Sequence, residues 1–289
     1  MRRLLQDRRA AVGMALLTLV TCAAVAAPLV SSGAPTAQHD IVATRFLPPL
    51  ASDMAGGFHP LGTDRFGRDV WTRLVYGARV SLAVGALAVL LSAALGIVIG
   101  GAAGYWPGAA GTLLLRLTDF ALALPRVVLL LLLAAFTRPN AGWVILLLGL
   151  TGWMSVARLV HGEVRSLAAR PFVEGAVALG LRRRRVLTRH ILPNALTPVI
   201  VSAALGLANA IMLEAGMSFL GLGVQPPTPS WGNMIASGRD TLVNAPWVAV
   251  APGVALVVVV VACTLLGDAL QDALQPSTIG VSRRSGSDA

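Results

Sequence analysis

The chain has 289 residues, of which 56% are hydrophobic and 12% charged, and its mean hydropathy is +0.75. A soluble globular domain carries roughly a quarter charged residues, so most soluble folds are excluded. The formal net charge of +10 rests on 23 basic side chains, all arginine. It raises the question of nucleic-acid binding, but these arginines flank apolar runs, as basic residues do on the cytoplasmic side of membrane spans.

The first element follows Arg2, Arg3, Arg8 and Arg9 and is the uncharged run 10–30. With Ala24-Val25-Ala26 it resembles a secretory signal and its cleavage site. A run of about 21 residues exceeds a signal core of roughly 7–15, so an uncleaved first span is expected. Residues 31–78 form the longest segment between spans. There Arg45, Arg65, Arg68 and Arg73 are offset by Asp40, Asp53, Asp64 and Asp69. Within 69–76 the apolar positions 70, 71, 74 and 75 fall at helical spacing, which predicts an interfacial helix with Trp71 and Tyr76 at headgroup level.

Further apolar stretches predict spans at about 80–104, 111–136, 139–158, 194–214 and 245–267, each near the roughly 20 residues a helix needs to cross a bilayer. The expected fold is therefore an all-α bundle of six transmembrane helices, because backbone groups in lipid must be bonded within their own segment. The third span is the polar one. Arg116 and Asp119 are three apart and can pair on one helix face, Arg126 lies close to that face, and Pro125 predicts a kink. Glu214, at the end of the fifth span, reads equally as a gate or an interfacial residue.

Between spans four and five, 158–190 holds eight arginines against Glu163 and Glu174. This places the loop 159–193, the N-terminus 1–9 and the tail 276–289 in the cytoplasm. Pro171 suits a first helical turn. Val173, Ala176, Val177 and Gly180 then share a face, and Gly180 can end the helix. A second basic helix follows, and Pro193 marks the next span. Such a helix–turn–helix elbow could dock its small-residue face on a partner; the alternative is a connecting loop with a solvated basic face.

The segment Glu174-Gly175-Ala176-x-x-x-Gly180, closed by Ile191-Leu192-Pro193, resembles the EAA loop of ABC importer permeases. Residues 59–69 and 76–82 (HPLGTDRFGRD, YGARVSL), 116–125 (RLTDFALALP) and 218–235 (SFLGLGVQPPTPSWGNMI) resemble stretches of the dipeptide/oligopeptide/nickel permeases. Their order resembles the C-type subunit of the peptide permease pair. The resemblance implies an ABC importer type I-like transmembrane domain over 79–275, with an EAA loop formed by Glu174, Gly175, Ala176, Gly180, Leu192 and Pro193 that seats in an ATP-binding subunit. Gly175 stands where the family usually has alanine. The partners it implies are a second homologous permease, two cytoplasmic ATP-binding subunits and an external substrate-binding protein, in the cell membrane. Di- and oligopeptides are the implied cargo, with nickel chelates or another small solute as the alternative.

The chain has no lysine, and a phosphate-binding loop of the Walker A type needs one. ATP and Mg are therefore expected on partner subunits, with no cofactor on this chain. Arg116, Asp119 and Glu214 are the candidate polar residues of the translocation path or of the bundle's structure. Cys22 and Cys263 lie in apolar runs and imply no metal site, and His39, His59, His161 and His190 read as dispersed surface residues. An ion-driven secondary transporter would be expected to show inverted repeats or discontinuous helices, and neither is apparent in the sequence.

Overall fold

A computed structural model describes residues 7–31, 33–38, 40–106, 108–136 and 140–274. Residues 1–6, His39 and the tail 276–289 lie outside that set. Asp7 caps α1 (Arg8–Val25) by accepting from the Arg9 N–H at 2.8 Å. After the short α2 (Ala27–Val30) and α3 (Ile41–Thr44), a two-residue hairpin pairs β1 (Ala51–Ser52) antiparallel to β2 (Phe58–His59). The rest is helical: α4 (Val70–Tyr105), α5 (Ala109–Ala123), α6 (Arg126–Ala135), α7 (Ala141–Ala168), α8 (Pro171–Ala178), α9 (Arg183–Val186), α10 (Leu192–Phe219), α11 (Trp231–Arg239) and α12 (Trp247–Leu274).

Helices α1, α4, α7 and α12 and the 37-residue stretch 183–219 are each long and apolar enough to cross a membrane. The pair α5 and α6, taken together, is also long and apolar enough to cross, as a span bent by 84°. Pro125 explains the bend. It has no N–H to give, and it drives Leu124 to extended dihedrals (φ −78°, ψ 131°).

Two predicted boundaries are corrected. The stretch 69–76 is not a separate interfacial helix; α4 runs unbroken for 36 residues. Asp69 caps it, accepting from the Thr72 N–H at 2.7 Å, and its first turns pack against the segment 40–69. Nor does the fifth span begin at Pro193. Helix α9 passes through a π-turn (Leu187–Ile191) directly into α10. The wide turn takes up the register change where Pro193 has no N–H.

The bundle is held by close backbone approach. Gly96 and Gly100 on α4 lie against α7, where a Cβ on Gly100 would stand 2.2 Å from the Ala157 carbonyl oxygen. Small residues one turn apart let membrane helices meet this closely. Gly13 of α1 does the same against Ala262 of α12, which fixes the first span to the bundle. Arg79 adds a clamp, donating to the carbonyls of Ala24 and Val25.

The segment 40–69 packs onto α4 through a buried hub at Asp64. Its Oδ2 accepts from Arg68 Nη2 at 2.7 Å, and Arg73 Nε lies 3.8 Å away. Trp247, at the start of α12, donates its indole N–H to the Thr63 carbonyl at 3.1 Å. His59 corrects the surface reading. It is buried between Asp69 (Nδ1 to Oδ1, 3.0 Å) and Asp53 (Nε2 to Oδ2, 3.5 Å). No group of three His, Cys, Asp or Glu side chains among the described residues could hold a metal ion.

Candidate functional site

The elbow begins as the sequence suggests. Pro171 opens α8, and the helix closes at Gly180 (φ +76°) in a Schellman arrangement. The Gly180 N–H donates to the Val177 carbonyl at 3.0 Å and the Leu181 N–H to the Ala176 carbonyl at 3.2 Å, satisfying carbonyls a helix end otherwise leaves open. A side chain at Gly180 would meet no neighbour within 4 Å. It would still carry the left-handed penalty of roughly 1–2 kcal/mol.

The small-residue face is divided, against the expectation that all of it faces a partner. Val173 is buried with Val160, Val164, Val186 and Ile191, and Ala176 packs at the edge of that cluster. The elbow must bury something against its own bundle to hold its angle, and these positions do so. The outward side carries Glu174, Gly175, Val177, Leu179 and Gly180. Leu179 is 84% exposed, and Phe172 and Val177 are nearly half exposed. Pro193 is exposed, and Leu192 turns partly inward beside Gly101 of α4.

The polar third span is also rearranged. Asp119 does not pair with Arg116; its Oδ1 lies 3.4 Å from Nη1 of Arg158 on α7. Arg116 stays exposed. The bend carries Arg126 away from both. Its Nη2 donates to the Leu148 carbonyl at 3.1 Å and its Nε to Thr151 Oγ1 at 3.4 Å. The sequence predicts a kink at Pro125, but spacing alone does not show that the bend reaches 84° and separates Arg126 from Arg116 and Asp119.

Glu214 is fully enclosed and is not among the residues lining the cavity around Arg126. Its Oε1 accepts from Ser218 Oγ at 2.7 Å and its Oε2 from Ser81 Oγ at 3.2 Å. Each hydroxyl in turn accepts a backbone N–H, Ser218 from Val224 and Ser81 from Trp231, both at 3.1 Å. One carboxylate thus joins α4, α10, the outer loop after α10 and the start of α11. Ser230 and Asn233 complete that start as a reciprocal cap. Only tertiary structure brings Ser81 to Glu214.

The model for binding-protein-dependent transport system inner membrane components matches residues 96–280, and that for the N-terminal transmembrane domain of oligopeptide transport permease C matches residues 1–49. A Brucella abortus protein, provisionally named a peptide transport system permease, is 42% identical over 275 residues, covering 95% of this chain and 90% of that one. The dipeptide transport system permease protein DppC of Alkalihalophilus pseudofirmus is 36% identical (95% and 88% covered). The di/tripeptide transport system permease protein DppC of Pseudomonas aeruginosa is 37% identical (91% and 86%). Among solved structures, an inward-facing form of the MetNI methionine ABC transporter superposes with a TM-score of 0.58 at 20% identity, covering 71% of this chain and 97% of that one; it shares the fold.

Proposed function

The chain belongs to the family of binding-protein-dependent transport system inner membrane components, and from that premise we propose that it imports di- and oligopeptides and is driven through its elbow. It is a multi-pass permease of an ABC importer. ATP-binding subunits dock on residues 170–193, a second permease completes the path, and an external binding protein delivers the peptide. The relatives named for dipeptide and di/tripeptide transport support the cargo.

The observation that carries the coupling role is the outward face of α8. A short helix with only Val173 fully buried presents Phe172, Val177 and Leu179 to the surface beside Glu174. It is followed by four consecutive arginines, 182–185, which keep it out of lipid. Exposed apolar groups in that setting are a docking surface for protein. ATP binding draws two such elbows together and turns the path outward; hydrolysis resets it. ATP and Mg stay on the partner subunits.

The test is co-purification and hydrolysis. Gly180→Trp and Glu174→Arg are expected to insert normally yet lose the ATP-binding subunit, or to lose stimulation of hydrolysis by loaded binding protein. Glu174 lies in the first turn of α8, where reversing its charge costs the helix about 0.3–1 kcal/mol; Glu174→Gln controls for that. Asp240→Arg, at an exposed outer position, should leave the complex intact. Parent-like assembly, hydrolysis and transport in both elbow variants would reduce the elbow to a connector.

A further inference from the structure

Two cavities meet along α10. The larger, about 780 Å³, opens between the elbow-side halves of α7 and α10 and the end of α12, where Glu163, Arg170, Asn194 and Gln271 line it. The smaller, about 250 Å³, lies deeper between α4, α7 and α10 and is lined by Ser92, Arg126, Gly152, Ser155, Ser202 and Asn209. Ser202 and Leu205 border both. Polar groups therefore line both cavities, one on the elbow side and one holding a guanidinium, with Ser202 and Leu205 between them.

Arg126 is out of place there unless it has a use. A charge within the membrane is costly and is kept where it pairs or faces a polar cavity. Among the described residues no carboxylate pairs with it. Its two hydrogen bonds go to neutral oxygens and use Nη2 and Nε, the second at a long 3.4 Å. A guanidinium has five N–H donors, and among the described residues the Nη1 pair has no hydrogen-bond partner. The surroundings leave it room. A Cβ on Gly152 would stand 3.0 Å from Arg126 Nη2 and 2.7 Å from Ser92 Oγ, so the bare backbone at 152 keeps the mouth of the guanidinium open.

We infer that Arg126 is the contact for the carboxylate of the peptide in transit, the one charged anchor in a cavity otherwise lined by neutral hydroxyl, amide and apolar groups. The inference rests on the peptide reading above. A guanidinium recognises a carboxylate through two parallel N–H···O bonds, and every linear peptide with a free C-terminus offers that group whatever its side chains. A single charged contact in an otherwise neutral cavity also suits a site that must let go, since a conduction site has to bind weakly enough for its cargo to leave.

The complete transporter, reconstituted in vesicles with its binding protein and ATP-binding subunits, tests this with Arg126→Gln and Arg126→Lys. Uptake of trialanine should fall roughly tenfold or more in the Gln variant, the scale of a lost charged hydrogen bond. Hydrolysis stimulated by the loaded binding protein should persist, and the Lys variant, which keeps the charge but loses the fork, should retain more uptake than the Gln variant and less than the parent. A second readout needs no peptide. With Cys22 and Cys263 replaced and Ser155→Cys introduced, a sulfonate-bearing methanethiosulfonate should react faster than its ammonium counterpart by roughly tenfold. Arg126→Gln should abolish that ratio and Arg126→Lys keep it. Parent-like uptake in Arg126→Gln would overturn the contact and leave the importer reading standing. So would joint loss of assembly, hydrolysis and uptake, which marks Arg126 as a brace for α6 or as the mate of an acid on the second permease. Failure of the parent complex to take up any peptide would overturn the peptide reading itself.

Discussion

Glu214 gathers two serine hydroxyls, and through them two backbone N–H groups, onto one enclosed carboxylate. Removing it leaves both hydroxyls without an acceptor in a site closed to water, and unpaired buried polar groups carry their full desolvation cost. Glu214→Ala should therefore lower stability by about 2–4 kcal/mol, and Glu214→Gln, which keeps an acceptor and the shape, by distinctly less. Thermal unfolding of the purified protein in detergent measures both; an Ala variant as stable as the Gln variant would refute the account. Asp53 works at the outer hairpin. The Gly57 N–H, 2.6 Å away, holds its carboxyl below the usual carboxylate value; burial opposes that, and His59 and the Ala55 N–H reinforce it. Its folded value is the lower one, so its contribution is complete above the ordinary carboxylate pKa and is lost as pH falls through the depressed value. Proteolysis between 53 and 58 should therefore rise only in strong acid, and Asp53→Ala should show the same susceptibility at neutral pH.

At the scale of the element, α4 and α7 are joined backbone to backbone at Gly100. Gly100→Ala drives a methyl against the Ala157 carbonyl oxygen, a contact that no rotamer change relieves, and should cost about 1–3 kcal/mol. Gly162, with open space around it, should accept alanine without such a loss in the same unfolding experiment. The elements show what local chemistry announces. Pro125 foretold the bend, Pro171 the start of α8 and Gly180 its end, because each acts through its own backbone. The continuity of α4 past Arg73, and of α9 into α10 past Pro193, was hidden. Charge and proline normally end a span, and here Asp64, from the preceding segment, and a π-turn just before Pro193 accommodate them. The pairing of Asp119 with Arg158 and the burial of His59 were hidden for the same reason.

For the whole molecule, the arginine excess of 158–190 predicts the orientation, with the elbow in the cytoplasm and the hairpin and the loop before α12 on the opposite side. In right-side-out vesicles carrying Cys22→Ser and Cys263→Ala, cysteines at Met54 and Val243, 97% and 96% exposed, should react with an impermeant maleimide. A cysteine at Leu179 should react only after permeabilisation. Reaction at 179 in sealed vesicles would invert the topology. The six-span plan and the elbow could be read from the sequence because hydropathy, charge bias and turn chemistry are properties of short stretches. The cavity around Arg126 could not, because its walls come from α4, α6, α7 and α10.

The stretch 183–219 reaches from the elbow to the Glu214 cluster as one helix of 37 residues, roughly 55 Å long. A rod of that length is a lever. A tilt at its basic end has to reappear at its far end, where Glu214 grips α4 and the loop leading to α11, with the π-turn and Pro198 as the places where it can yield. On the proposed coupling, motion imposed on the elbow would be delivered to the opposite face of the membrane by this one continuous element, and slackness added to it, such as a glycine pair beside Pro198, should reduce transport per ATP hydrolysed.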